Sequence, residues 1–271
     1  MKPATSTELK PIASAALHLA GNTPQIWDDQ QAAYYLKGIE QSDYAEKLGN
    51  TLLELVGKQA QLLDIGAGAG TVSRRILENN AQWTAIEPNA FLADYLTAHQ
   101  SIWPFQLNVI QQSWQQTASD DLAVHDASLA ANTSGPLSET RDFWHWQRQQ
   151  TKRLMIWIVP AQSGPRGKCL SGFLPASLHG EVMGSPIHEI LDALGDDCQP
   201  NQLVTVDWTF QQSFADFHSA DSYFQQVFNP AADPEKASAL TAYLTSKLQP
   251  DGDALLAKAA KKSAVLIWTF N

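Results

Sequence analysis

Residues 62–71 read Leu62-Leu63-Asp64-Ile65-Gly66-Ala67-Gly68-Ala69-Gly70-Thr71. A short apolar run ends in alternating glycine and alanine, and Val72, Ile76 and Leu77 then recur at helical spacing. A strand that enters such a turn and leaves as a helix lets a ligand lie against bare backbone, because glycine has no Cβ to hold it off. Open α/β sheets bind their ligands at the carboxyl ends of such strands. The next strand reads Trp83–Glu87 and closes on an acid 23 residues beyond Asp64. A carboxylate there can accept hydrogen bonds from a ribose diol, so turn and acid together point to an adenosine-containing ligand.

The alternation of strand and helix continues on both sides. Upstream, Leu48, Leu52, Leu55 and Val56 mark a helix that Ser42 or Asp43 can cap and Gly57 can close. Downstream, Asn89 caps a helix carrying Phe91, Leu92, Tyr95 and Leu96. Strands are expected at Phe105–Ile110 and Leu122–Val124, and a Trp-rich helix near Ser138–Gln150. Leu154–Val159 is apolar throughout, as suits a strand buried on both faces. Past a loop with Gly164, Gly167 and Gly172 come a helix at Ser185–Leu194 and a strand at Leu203–Phe210. Helices at Ser222–Phe228 and Pro234–Leu248 follow, then an apolar terminal strand, Ala264–Phe270. This order implies βαβ units and a mainly parallel sheet. No internal repeat or linker divides the chain, so residues 1–271 are expected to form one domain, with 1–41 an N-terminal arm and 42–271 the core.

Composition narrows the function classes. With 18 basic and 28 acidic side chains the net charge is −10, and 44% of residues are apolar. Phosphate-backbone binding depends on clustered Lys and Arg, so nucleic acid and anionic membrane are poor partners for this chain. Two cysteines, Cys169 and Cys198, make no disulfide framework, and neither sits in a metal-ligand spacing. A reducing, cytoplasmic setting is the expectation. No apolar run approaches the roughly 20 residues of a membrane span. Pro11–Ala20 faintly resembles the core of a signal peptide, but His18 interrupts it.

The glycine spacing separates two kinds of cofactor fold. The dinucleotide fingerprint is G-x-G-x-x-G, whereas Gly66, Gly68 and Gly70 stand at G-x-G-x-G with Asp64 two places ahead. In this the chain resembles the class I S-adenosylmethionine-dependent methyltransferases, whose first motif has the form (D/E)-x-G-x-G-x-G. Ala85-Ile86-Glu87-Pro88-Asn89 resembles their second-strand motif. Gln112-Ser113-Trp114 and Asp121–Asp126 match the ends of their third and fourth strands, and the likeness spans roughly Ser42 to Val159. Trp27-Asp28 and Ser42-Asp43-Tyr44-Ala45 resemble the lid helix of small-molecule members.

The resemblance implies a Rossmann-like, doubly wound α/β fold. Its sheet would have seven mainly parallel strands, an antiparallel C-terminal strand and an N-terminal helical lid. It implies S-adenosylmethionine as cofactor and S-adenosylhomocysteine as product, with a small molecule as acceptor. Gly66, Gly68 and Gly70 would admit the cofactor to the backbone, Asp64 would attract its ammonium, and Glu87 would hold the ribose. Pro88, Ser113 and Trp114 would border the adenine, Asp126 would lie near the methionine end, and Tyr44 would close over the carboxylate. Tyr44 with Trp27, Tyr34 and Tyr35 equally suits the apolar face of a docking helix. His125, expected at the carboxyl end of the fourth strand, is the candidate general base, and His145 could border a substrate pocket.

Other readings are weighed against this one. His188-Glu189 is followed at i+4 by Asp192 and not by the second His of H-E-x-x-H, so no metal is expected. An Asn/Asp-Pro-Pro-aromatic tetrad and a Pro-Cys pair are both missing, which together with the acidic balance favours a small or neutral-to-cationic acceptor over RNA or DNA. The alternatives are a nicotinamide-dependent oxidoreductase and a catalytically silent subunit that binds a protein partner.

Overall fold

In the computed structural model the described residues are 27–133, 139–164, 169, 170, 172–179, 184–228 and 233–271. The N-terminal arm before residue 27, including Pro11–Ala20, lies outside them, as do Ser138 and Gly167.

Five parallel strands form the first part of the sheet: β1 (Gln59–Ile65), β2 (Leu77–Ile86), β3 (Gln106–Ile110), β4 (His125–Ala131) and β5 (Thr151–Pro160). They are joined by β6 (Gln202–Phe214), β7 (Gln249–Asp251) and β8 (Ala254–Thr269). The spatial order is β3-β2-β1-β4-β5-β8-β6, with the short β7 also paired to β8. The last long strand is therefore inserted antiparallel between β5 and β6. The expected seven strands and their reversal are present, with the three-residue β7 as an eighth.

Helices cover both faces, because the central strands are apolar on both. One face packs Leu62, Trp83, Leu129 and Ile156 against α2 (Tyr44–Val56), the one-turn α3 (Ser73–Ile76), α4 (Ala90–His99), α8 (Phe217–Phe228) and α9 (Pro234–Lys247). The other packs Leu63, Ile65, Met155 and Trp157 against α5 (Thr140–Gln149) and α7 (Pro186–Leu194). The remaining helices are α1 (Asp29–Gln41), which packs against β6, and the short α6 (Ala176–His179).

Three elements differ from expectation. The helix after the glycine turn stops at Ile76, and Leu77 already pairs with Gln59 in the sheet. Glu78, Asn79 and Asn80 offer no apolar residue to continue a helical face, and Lys58 Nζ satisfies the carbonyls of Arg75 and Leu77 at 2.8 and 3.0 Å. Leu122–Val124 is not a strand: Val124 is 43% exposed. The fourth strand starts at His125 instead, with Ala127, Leu129 and Ala130 fully buried. Finally, β8 begins ten residues before Ala264, and β6 runs on to Phe214 beside it.

The helix caps proposed at Ser42 and Asp43 do different work. Asp43 makes no side-chain cap to α2. Its Oδ1 accepts from the Thr209 amide at 2.6 Å, Ser42 Oγ from Gln211 at 3.0 Å, and Gln41 Oε1 from Ser213 at 3.0 Å. Alternate amides of the edge strand β6 are thus occupied by side chains, which blunts an edge that would otherwise pair with another strand. This also anchors the C-terminal end of α1 to the core.

Candidate functional site

The glycine turn leaves β1 at its carboxyl end, and the amides of Gly66 and Ala67 both donate to the Ile86 carbonyl at the end of β2, at 2.8 and 3.0 Å. Gly66, Gly68 and Gly70 have φ of +65°, +57° and +63°, the left-handed region that side-chain-bearing residues avoid. The three glycines face different neighbours. A Cβ on Gly66 would lie 2.8 Å from Thr133 Oγ1, and one on Gly70 would collide with the Trp83 ring. At Gly68 it would lie 3.1 Å from the Tyr35 hydroxyl, so this glycine presents its backbone towards α1.

Glu87, directly after β2, is 5% exposed. Its Oε2 accepts from the Gly68 amide at 2.7 Å and its Oε1 from the Asn89 amide at 2.8 Å. Burial pushes its carboxyl above the usual value, and these two amides work against the rise. Asn89 caps α4 through the Leu92 amide at 3.0 Å and donates from Nδ2 to the Trp27 carbonyl at 2.7 Å. Trp27 in turn packs on Tyr35, with ring centroids 4.7 Å apart. The start of α1 therefore lies over the turn and over Glu87. Pro88 is half-buried between Glu87 and Asn89.

Asp64 is 1% exposed and accepts from Ser73 Oγ at 2.5 Å. Burial raises its carboxyl to about 7, with Ser73 opposing the rise and the Glu87 charge adding to it. For an acid raised in the folded state, stability is greatest below the unfolded value of ~3.9 and declines as pH climbs through the folded value. An ammonium ligand, by contrast, needs the ionised carboxylate. Asp64→Asn is therefore expected to stabilise the ligand-free protein at pH 8, by at most about 4 kcal/mol for a shift of this size, and so to raise its melting temperature. Wild-type affinity for S-adenosylmethionine should climb between pH 6 and 8, while Asp64→Asn binds more weakly and without that slope. Melting curves and calorimetry across this range read both effects.

The remaining expected residues divide by end of the sheet. Ser113 and Trp114 follow β3 at its carboxyl end, next to Glu87, whose amide donates to Ile110. Ser113 bonds Gln116, and the half-buried Trp114 meets Phe143 edge-on at 5.1 Å. Tyr44, at the start of α2, is buried, and its hydroxyl accepts from Asn132 Nδ2 at 2.8 Å just past β4. Two placements are corrected. His125 and Asp126 open β4 and so stand at its amino end, opposite the glycine turn. There His125 Nε2 meets Thr84 Oγ1 at 2.8 Å, and Asp126 pairs with Lys152 at 3.3 Å. His145 is exposed on α5, 5.0 Å from the Trp144 ring. His188 and Glu189 lie on α7, and no metal-holding group of three His, Cys, Asp or Glu side chains occurs among the described residues.

Four residues at the site were not singled out for it. Asn132 and Thr133 occupy the true carboxyl end of β4; Asn132 has φ of +55°, and Thr133 Oγ1 donates to the Ile65 carbonyl at 2.7 Å. They become visible only once β4 is shifted to its real register. Ser73 was hidden in a helix pattern, although it lies nine residues from its partner Asp64. Tyr35 was grouped with a docking face, and its contact with Gly68 is a tertiary event that no local pattern encodes.

The strand order and the reversed β8 make this the Rossmann-like, mainly parallel α/β sheet that the sequence led one to expect. No family model and no curated protein sequence matches the chain. Among solved structures it is similar to an S-adenosylmethionine-dependent methyltransferase from Aquifex aeolicus, at 16% identity over 66% of this chain and 93% of that one, TM-score 0.48. It is also similar to magnesium protoporphyrin IX methyltransferase from Synechocystis PCC 6803 with bound SAH, at 15% identity over 64% and 80%, TM-score 0.45. A third is precorrin-6y C5,15-methyltransferase from Geobacter metallireducens GS-15, at 12% identity over 83% and 87%, TM-score 0.43.

Proposed function

We propose that the chain is a single-domain S-adenosylmethionine-dependent methyltransferase acting on a small-molecule acceptor in the cytoplasm. The observation that carries the reading is the Glu87 carboxylate closed onto the bare Gly68 backbone at the carboxyl edge of β1 and β2. Two free cysteines suit a reducing compartment, and no helix among the described residues is long and apolar enough to cross a membrane.

The residues present fit the cofactor. Gly68 carries no Cβ between its backbone and Tyr35, whose hydroxyl would lie 3.1 Å from one, and each Glu87 oxygen, with one amide bound, keeps acceptor capacity for a ribose hydroxyl. Asp64 supplies a buried acid for an ammonium, Pro88, Ser113 and Trp114 flank the adenine side, and Tyr44 with Asn132 borders the methionine side. Bound there, the cofactor supplies a sulfonium methyl for in-line displacement. The protein's part is to hold acceptor and methyl in register, which by itself is worth ~7–11 kcal/mol. With His125 at the far end of β4, no histidine general base is placed at this site among the described residues. An acceptor that arrives deprotonated, or loses its proton to water, meets that condition.

The test is a methyl-transfer assay with labelled S-adenosylmethionine against a metabolite library, preceded by calorimetric measurement of cofactor affinity. Methyl transfer to one or a few small acceptors is expected. Cofactor binding without transfer to any compound would favour the silent-subunit alternative, and absence of cofactor binding would remove the reading.

A further inference from the structure

The bare backbone of Gly68 is already covered by the chain itself. The three atoms nearest to a Cβ built there all belong to Tyr35, the hydroxyl at 3.1 Å and two ring carbons at 3.5 and 3.6 Å. A Cβ stands only ~1.5 Å from its Cα, so the hydroxyl lies within about 5 Å of the Gly68 Cα. A ligand atom inserted between them would need roughly 7 Å, two contacts of ~3.5 Å each. Tyr35 in this position and a cofactor lying on Gly68 therefore exclude each other.

Tyr35 is held there from the Glu87 side of the site. The Trp27 ring packs on it, with centroids 4.7 Å apart, and the Trp27 carbonyl accepts from Asn89 Nδ2 at 2.7 Å. The Asn89 amide has one possible orientation, because its Oδ1 accepts from the Leu92 amide at 3.0 Å and only Nδ2 can donate to a carbonyl. The backbone amide of Asn89 donates in turn to Glu87 Oε1 at 2.8 Å. The Tyr35 hydroxyl makes no hydrogen bond to a described residue, so its contact with Gly68 is one of packing alone. The anchoring of α1 is also unequal. At its C-terminal end a Cβ on Gly38 would collide with the Phe210 ring, Lys37 Nζ donates to the Ser213 carbonyl at 2.9 Å, and Gln41 and Ser42 hold amides of β6. Among the described residues, the bond from Asn89 is the only hydrogen bond that ties residues 27–33 to another element.

We propose that Trp27 and Tyr35 form a plug, latched by Asn89, that occludes the ligand-free site and that the cofactor must displace to reach Gly68. The inference rests on the methyltransferase reading and adds a control on the same site. A ligand that binds only the open form has its apparent affinity reduced by the open fraction. Loosening the plug should therefore tighten binding, the reverse of what loss of a ligand contact would do.

The test is calorimetric titration of S-adenosylhomocysteine into the full chain and four variants. Tyr35→Ala removes the plug and is expected to bind at least five-fold more tightly than wild type. Tyr35→Phe keeps the ring and loses only the unbonded hydroxyl, so its affinity should stay within two-fold. Asn89→Ser keeps the cap on α4, because serine caps as well as asparagine, while its shorter side chain releases the Trp27 carbonyl. Loss of that one neutral hydrogen bond should tighten binding about two- to ten-fold. Both substitutions free the same element, so the double variant should bind no more tightly than Tyr35→Ala alone. Asn89→Ser serves by itself if Tyr35→Ala does not fold. Unchanged or weaker binding in Tyr35→Ala or Asn89→Ser, or a loss in Tyr35→Phe, would overturn the proposal. Binding by the variants and not by wild type would uphold it. Absence of binding by wild type and every variant would instead strike the methyltransferase reading on which it rests.

Discussion

Gly68→Val is expected to abolish measurable S-adenosylmethionine binding, a loss of at least a hundred-fold, while the chain keeps its native circular dichroism. Two effects combine. The backbone there has φ of +57°, which costs a branched L-residue roughly 1–2 kcal/mol. The new side chain would also press on the Tyr35 hydroxyl, which lies 3.1 Å from a Cβ at this position, on the side of the turn from which the proposed cofactor would approach. Gly68→Ala adds one carbon at the same point and should weaken binding less. Calorimetry reads affinity and far-ultraviolet circular dichroism reads the fold. A folded valine variant with undiminished affinity would show that ligands do not reach this turn.

Gly70 should behave differently although it belongs to the same motif. Its Cβ would collide with Trp83, which is 1% exposed, and would touch Leu96 Cδ2 at 3.4 Å. Overpacking of this kind costs about 1–3 kcal/mol, and loss of the glycine's freedom at φ of +63° adds roughly 1 kcal/mol. Gly70→Ala is expected to lower stability by about 2–4 kcal/mol and the melting temperature by roughly 5–15 °C. A variant as stable as wild type would mean that Trp83 can yield, contrary to its packing against Trp103 and Phe105.

The contrast between these two glycines shows what could be read in advance. The turn, the acid at Glu87, the Asn89 cap and the apolar β5 were visible because each follows a local rule of backbone conformation, capping or burial. The strand β4 was not. His125-Asp126-Ala127-Ser128-Leu129-Ala130-Ala131 is built from small and polar residues, and it is a strand because its backbone pairs with β1 on one side and β5 on the other, with Ala127 and Leu129 buried on one face of the sheet and Ala130 on the other. The more apolar Leu122-Ala123-Val124 drew the expected strand upstream, and that slip carried His125 and Asp126 to the wrong edge while hiding Asn132 and Thr133. The first half of β8 was missed for a related reason. Its Ala and Lys composition suggests a helix, yet Ala257, Ala259, Lys261 and Ser263 alternate inward with period two. Which of the three glycines faces Tyr35 and which faces Trp83 is set by the packing of α1 and β2, and no pattern local to the turn encodes it.

The central claim is that Glu87 and the glycine turn together hold the adenosine portion of S-adenosylmethionine. Both carboxylate oxygens already accept backbone amides, so Glu87→Gln must turn an amide donor towards either Gly68 or Asn89 and also gives up the charge offered to the ribose. Charge-assisted bonds of this type contribute about 1.5–3 kcal/mol each. The decisive measurement is a calorimetric titration of S-adenosylhomocysteine into wild type and Glu87→Gln, with a 2′,3′-dideoxyribose analogue alongside. The account predicts binding to wild type and affinity roughly ten- to a hundred-fold lower in the variant, from ~1.4–2.8 kcal/mol lost. It also predicts that the analogue separates the two proteins far less. Equal affinity of both proteins for S-adenosylhomocysteine would contradict it, and would leave Glu87 only a buried clasp on the turn.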